Sequence, residues 1–301
     1  MNVKYIEQNC KSILHKINRT NLPFKWGANP YRGCIHSCIY CYARYTHSYL
    51  DLDPKKEFET TIIVKTNAPQ ILRKEFSSPK WKKDLVNLGS VCDPYQAAEK
   101  KYSITREMLK VFKQYYNPIT IATKSNLILR DLDILSEMTQ ESYVNIVFSI
   151  SSINENIRKE IEPRAASTQQ RLQAISILRD SGLKVGVLLM PIVPFLNDSD
   201  DELEAIFQAI ADSKASFVIP GIMYLQGASK TRFFDFIENK HPELIEKYNE
   251  FYKNRSPPLS YKNKKHSMFK ILIKKYKLND FNNMMIVEKD KQKSLIEWIK
   301  K

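Results

Sequence analysis

Three cysteines, Cys34, Cys38 and Cys41, stand within eight residues in the run Gly33-Cys-Ile-His-Ser-Cys-Ile-Tyr-Cys41. Their spacing is Cys-x3-Cys-x2-Cys. Thiolates are the ligands that hold iron–sulfur clusters. A loop this compact wraps three corners of a cubane, and a cubane held only by protein needs a fourth cysteine. None lies nearby, so the fourth iron is left for a small molecule. Zinc is the rival metal, because Cys3His sites are common and His36 and His47 are close. Structural zinc sites, however, pair ligands from two separated knuckles, and no second pair is present. Cys10 and Cys92 stand apart, and the odd total of five argues against a disulfide framework.

The chain around this loop has ordinary globular proportions. It has 301 residues, 43% apolar and 27% charged, which excludes a disordered chain. The longest apolar stretch, Val185 to Leu196, has 12 residues broken by Pro191 and Pro194, too few to cross a bilayer. Residues 1–9 contain no apolar signal core, so a cytoplasmic protein without membrane attachment is expected. The net charge is +14, and residues 240–301 hold 16 Lys and Arg against 7 Asp and Glu. A basic tail of this kind steers polyanions. It equally suits a solvated face with no partner.

The elements that must carry these residues alternate. Short β-branched runs predict strands at Thr60–Lys65, Leu85–Cys92, Ile119–Thr123, Val144–Ser151, Val185–Met190 and Phe217–Leu225. Between them, Ile104, Met108, Val111, Phe112 and Tyr115 repeat at helical spacing and stop at Asn117-Pro118. Asp131, Ser167 and Ser199 are candidate N-caps, the last in a capping box with Glu202. Strand–helix alternation implies parallel βαβ units. From residue 229 only helical patterns follow, near 229–239, 243–254, 266–277 and 285–299, with a Ser-Pro-Pro break at 256–258. The expected organisation is one α/β unit over 1–228 and a basic helical extension over 229–301.

The cysteine spacing, with aromatic Tyr40 before the last cysteine, resembles the radical S-adenosylmethionine (SAM) superfamily. The wider segment Asn29-Pro-Tyr-Arg-Gly-Cys-Ile-His-Ser-Cys-Ile-Tyr-Cys-Tyr-Ala-Arg44 resembles the group related to spore photoproduct lyase. Further landmarks match in order: Ser90-Val-Cys-Asp-Pro-Tyr-Gln96, Thr123-Lys-Ser125, Phe148-Ser-Ile150, Glu162-Pro-Arg164 and Met190-Pro-Ile-Val-Pro194. The resemblance implies a partial (β/α)6 barrel, TIM-like in curvature. It implies that Cys34, Cys38 and Cys41 bind a 4Fe-4S cluster, that SAM chelates the fourth iron, and that a flavodoxin- or ferredoxin-type donor supplies the electron. SAM would then yield a 5′-deoxyadenosyl radical that abstracts hydrogen from a substrate.

By the same resemblance, Lys124 pairs with the SAM carboxylate and Ser149 contacts SAM. Tyr40 packs near the adenine. Asp93 accepts from the SAM amino group or ribose, although the superfamily's usual Gly-Gly-Glu strand end is absent. Arg164 is a candidate for a carboxylate or phosphate, and so is Arg171, which could equally be a helix-surface arginine. Cys92 is a candidate hydrogen donor to a substrate radical, and Tyr42 a candidate relay; inert packing is the competing reading of both. His36 and His47 are expected beside the cluster or on the surface, not as ligands. Nucleic acid is the substrate class favoured by charge and resemblance, with a peptide or protein as the alternative. A non-catalytic iron–sulfur or zinc protein is the alternative outside enzymes. If the basic tail only recruits substrate, deleting 256–301 should alter substrate binding more than SAM cleavage.

Overall fold

The computed structural model describes residues 2–18 and 22–279. Ten strands occur among them: β1 Lys4–Gln8, β2 Leu14–Lys16, β3 Trp26–Ala28, β4 Tyr31–Arg32, β5 Thr61–Lys65, β6 Val86–Leu88, β7 Ile119–Thr123, β8 Val144–Ile150, β9 Lys184–Ile192 and β10 Val218–Ile222. The main sheet runs β10-β9-β8-β7-β6-β3-β2. Its six strands from β3 to β10 are parallel and follow chain order; β2 is antiparallel at the edge. Among the described residues no pairing joins β10 back to the β2–β3 edge, so the sheet is an open, partial (β/α)6 barrel. A small second sheet, β1-β5-β4, supports the chain leading into and out of the cysteine loop.

Residue type explains the two faces of the main sheet. Ile119, Ile121, Ile146, Phe148, Ile150, Val185, Val187 and Leu189 are fully buried and pack with Met108, Leu109, Ile175, Leu178, Leu203 and Ile206 from the helices. The alternate positions face the concave side, where Ala122, Val147, Leu188 and Ile219 with Phe217 form a separate apolar patch and polar residues fill the remainder of the β6–β8 part. Asn87, Thr120 and Asn145 form one rung of this face, and Asn145 Nδ2 donates to Thr120 Oγ1 at 3.1 Å. A helix-covered apolar face on one side and a mixed polar and apolar face on the other make the concave side a place for a ligand.

All six predicted strands are present: Ile119–Thr123 keeps its bounds, Thr60–Lys65 and Val144–Ser151 each lose one end residue, Val185–Met190 extends to Lys184–Ile192, and two shorten more. Leu85–Cys92 shortens to Val86–Leu88, because Gly89 turns with φ +96° and a Cβ there would lie 2.7 Å from the Ala122 carbonyl oxygen. Cys92 and Asp93 therefore sit in the loop beyond β6, not at a strand end. Phe217–Leu225 shortens to Val218–Ile222. The caps differ too. Ser167 makes a full capping box with Gln170. Ser199 caps the helix Asp200–Asp212, but the Glu202 carboxylate accepts from Ser152 instead of closing the box. Asp131 does not cap with its side chain; its carboxylate takes Arg106 and Arg130.

Three helices follow β10: Gly227–Lys240, Ile245–Phe251 and Leu259–Lys275. The pattern at 285–299 lies outside the described residues. Phe269 and Leu272 of the last helix belong to the main core, and Phe269 stacks on Phe207. Lys265 is buried and donates to the Asp198 carbonyl, and Tyr261 donates to Asp198 Oδ2 at 2.7 Å. The helix Leu259–Lys275 is thus bound into the barrel wall, which revises the expectation that residues from 256 onward serve substrate recruitment alone.

Candidate active site at the open end of the barrel

The cysteine loop leaves β4 and runs into a 3-10 helix, Tyr42–Leu50. Several constraints fix its path. Gly33 has φ +82°, and a Cβ there would meet the Phe58 and Thr61 carbonyl oxygens at 2.8 Å. The Gln96 side chain clamps the loop start, accepting from Ile35 N–H and donating to the Gly33 carbonyl, each at 3.0 Å. Ile39 N–H donates to the Ile161 carbonyl at 3.1 Å and Arg164 N–H to the His36 carbonyl at 3.3 Å. Buried Arg44 donates to the Cys38 carbonyl at 3.2 Å and pairs with Glu59 at 2.6 Å. The loop is therefore held from β5, from the segment after β6 and from the end of helix Glu155–Ile161.

All three thiols are free. Burial pushes the Cys34 thiol well above its ordinary value, helped by Asp93, Cys38 and Cys41. It pushes Cys38 to about 12, against the pull of Lys124, and raises Cys41 against Arg44. The three sulfurs thus lie within one another's electrostatic reach, with cations at hand to favour thiolates. Among the described residues no three His, Cys, Asp or Glu side chains converge tightly enough for one metal ion. A cubane does not require that convergence, because each thiolate binds a different iron. The donor set fits such a cluster.

A charged network stands beside the loop. Glu162 is fully buried and accepts from Arg171 at 2.6 Å and from the Tyr40 hydroxyl. Lys124, immediately after β7, has Nζ 4.0 Å from Glu162 Oε1 and 5.9 Å from the Tyr40 ring centre. Arg171 also donates to the Ser149 carbonyl at 2.7 Å and the Ala166 carbonyl at 2.8 Å. Burial alone would raise the Glu162 carboxyl, but Arg171 and Lys124 overcome it and hold the group at about 2. Burial opposes the Lys124 charge, and Glu162 with Cys38 outweighs it, so the lysine pKa lies above its ordinary value. Two cations share one carboxylate. Arg171 takes the close bond, and Lys124 keeps surplus positive charge toward the cysteines, where an anionic ligand group is attracted.

The other predicted residues group around this centre. Asp93 is saturated: it accepts from Tyr95 N–H at 2.8 Å, Thr123 Oγ1 at 2.8 Å and Lys124 N–H at 2.6 Å, with His36 Nδ1 3.5 Å away. Its clearest task is to fix the β7 exit that carries Lys124. Ser149 is half-buried near the end of β8, on the concave face with Asn145 and Val147. The Arg164 side chain is exposed, and only its backbone touches the loop. His36 and His47 are buried, not on the surface; His47 Nε2 meets the Thr61 carbonyl at 2.9 Å. Cys92 is buried, its thiol pushed up to about 12 by burial, with Sγ 3.7 Å from Asn29 Oδ1. The Tyr42 ring is 55% exposed while its hydroxyl donates to the Ser90 carbonyl.

Two residues escaped the sequence reading. Glu162 appears there only as part of a landmark, although an acid beside a buried arginine was available as its partner. Asn29 joins the mouth together, donating to Ser90 Oγ at 2.9 Å and accepting from Val91 N–H at 2.9 Å. Arg171 was left between two readings and is fully buried. Its signal was its spacing: positions 171, 174, 175 and 178 form the buried stripe of helix Thr168–Asp180.

Comparison with known proteins agrees with this geometry. An uncharacterized protein of Mycobacterium tuberculosis is 36% identical over 279 residues, covering 92% of this chain and 82% of that one. One from Methanocaldococcus jannaschii is 29% identical over 231 residues, covering 76% of this chain and 82% of the other. Among solved structures, a spore photoproduct lyase variant with bound AdoMet and dinucleoside spore photoproduct superposes with a TM-score of 0.68. It shares 16% identity and covers 90% of this chain and 79% of that one, a likeness of fold. A second lyase variant gives a TM-score of 0.68 at 17% identity, covering 90% and 79%. The Radical SAM superfamily description matches residues 28–210, spanning the cysteine loop and the strands from β4 to β9. With the open parallel barrel and the three-cysteine loop at its mouth, that match places the chain in the radical SAM superfamily.

Proposed function

We propose that the chain is an enzyme that carries a 4Fe-4S cluster on Cys34, Cys38 and Cys41 and binds SAM over it. The observation that carries this reading is the arrangement of Lys124, Glu162 and Arg171 beside three free thiols. When bound and reduced, the cluster with SAM supplies a 5′-deoxyadenosyl radical, which abstracts hydrogen from a substrate in the barrel. The chain's own residues bind and orient. Lys124 receives the SAM carboxylate, and Glu162 keeps the lysine charged and placed. Tyr40, anchored by Glu162, would pack near the adenine, and Ser149, on the concave face, would contact SAM. The closed packing around the loop keeps water from the reacting atoms.

Cys92 keeps its S–H bond at neutral pH, the state required to return a hydrogen atom to a substrate radical. Tyr42, whose hydroxyl rests on the Ser90 carbonyl two residues before Cys92, is the candidate relay residue on this side of the mouth. Nucleic acid is the substrate reading supported by the basic chain and by the likeness of fold to a lyase variant solved with dinucleoside spore photoproduct. A low-potential flavodoxin- or ferredoxin-type protein is the expected electron donor.

Low-temperature electron paramagnetic resonance of the anaerobically reconstituted, reduced protein tests the cofactor assignment. The expected result is a four-iron signal that changes when SAM is added, lost in Cys38→Ala and less responsive in Lys124→Ala. A colourless zinc protein, or an iron signal indifferent to SAM, would overturn it.

A further inference from the structure

The open barrel leaves a seam at its mouth. β3 and β10 lie near opposite edges of the main sheet, yet the segments that leave their C-terminal ends meet. The 3-10 helix Tyr42–Leu50 packs on helix Gly227–Lys240. Ion pairs Lys55–Asp235 and Arg232–Glu59, the second at 3.8 Å, tie the two sides together. A cavity of about 780 Å³ sits in this seam, and Tyr42, Tyr45, Lys253 and Arg255 are part of its wall. Among the described residues lining it, none is acidic.

Tyr45 lines the cavity, and Tyr49 and Tyr224 adjoin it through the lining residues Tyr45 and Arg255. Tyr45 is 43% exposed and Tyr224 48%, while Tyr49, 71% exposed, meets Tyr45 edge-on at 5.8 Å. Arg255 Nη1 lies 3.5 Å from the Tyr224 hydroxyl, so cation and ring share one rim. Tyr42 directly follows Cys41, and its hydroxyl reaches Ser90 beside Cys92. One ring therefore joins the seam to the mouth of the barrel.

Exposed tyrosines beside cations suit a particular ligand. Cations pair with backbone phosphates, and tyrosine faces stack on bases that are not hidden in a duplex. An acidic peptide would use the cations and leave the rings bare. We infer that this seam docks single-stranded nucleic acid, with bases on Tyr45 and Tyr224 and phosphates on Lys253 and Arg255. The inference rests on the radical-enzyme reading only in taking the barrel mouth as the strand's destination.

The test is fluorescence anisotropy of the full, anaerobically reconstituted chain with a short labelled oligothymidylate, the matching duplex and an acidic peptide. The single strand should bind more tightly than either competitor, with affinity falling steeply as salt rises. Lys253→Glu with Arg255→Glu should weaken it at least about tenfold and flatten the salt dependence. Tyr45→Ala with Tyr224→Ala should weaken it by about tenfold while preserving the salt slope. Thermal melting checks that each variant is folded, and Lys253→Gln with Arg255→Gln replaces the reversal if that pair unfolds. Unchanged affinity in folded variants, a preference for duplex, or a preference for the peptide would overturn the inference. Wild-type protein that cleaves SAM but binds no strand overturns the docking surface and leaves the enzyme reading intact. Strand binding without SAM cleavage supports the surface and counts against the enzyme reading.

Discussion

Glu162 connects three residues that the sequence separates widely. It receives the Tyr40 hydroxyl from the cysteine loop, the Arg171 guanidinium from a helix and the field of Lys124 from β7. Glu162→Gln removes the charge and leaves Arg171 buried without a counterion. Breaking a buried pair from one side costs about 3–5 kcal/mol. Urea unfolding should show a loss of that size, and SAM titration should show weaker binding, because Lys124 loses the neighbour that places it. The pH dependence follows from the sign of the shift. A carboxyl held at about 2 against an ordinary 4.5 contributes stability that is complete above about 4.5 and is lost as pH falls toward 2. Stability measured across that window should fall in the wild type and fall less in Glu162→Gln; parallel curves would contradict the assignment. Cys92 gives a separate prediction. Cys92→Ala should leave SAM cleavage intact and remove or redirect the substrate product, as mass spectrometry of the product would show. The cysteine loop was legible because thiol spacing is local. Glu162 and Asn29 were not, since their decisive bonds to Tyr40 and Cys92 cross 122 and 63 residues of chain.

At the scale of elements, the strands that read clearly from sequence are those buried on their outer face by helices. β7, β8 and β9 are near-continuous apolar runs, buried against helices on one side and facing the concave side with their alternate residues. Of the strands that the sequence does not reveal, β2, β3 and β4 are short, and β1, five residues long, has no buried position. β3, which opens the barrel, is Trp26-Gly27-Ala28, and β2 is three residues with two of them exposed. Neither length nor pattern distinguishes such pieces from loop; pairing with β6 makes the difference for β3. Turn chemistry decided the end of β6. Gly89→Ala would place a methyl group against the Ala122 carbonyl at a positive φ, so a loss above about 1 kcal/mol is expected. Because that turn also aims Asp93 at Lys124, the same variant should weaken SAM binding. Normal SAM affinity in a destabilised Gly89→Ala protein would separate the turn from the site.

At the scale of the whole molecule, the positive charge is built into the fold as well as displayed by it. Lys265 is one of the basic residues counted in the C-terminal fifth, yet it is buried against Asp198 and Asp200. Phe269 and Leu272 of the same helix are core residues, each worth about 1.5–3 kcal/mol when fully buried. A chain ending before residue 256 should therefore lose more than about 3 kcal/mol and lose SAM cleavage together with substrate binding; selective loss of binding alone would restore the recruitment-only reading of the tail. The central claim is that three thiols, a placed lysine and an open barrel together cleave SAM reductively. Its most direct test is chromatography with mass detection of 5′-deoxyadenosine after anaerobic incubation of the reconstituted chain with SAM and dithionite. The account predicts 5′-deoxyadenosine from the wild type and none from Cys34→Ala, Cys38→Ala or Cys41→Ala. Its absence from a wild-type protein with a fully loaded cluster, or its formation by the cysteine variants, would contradict the account.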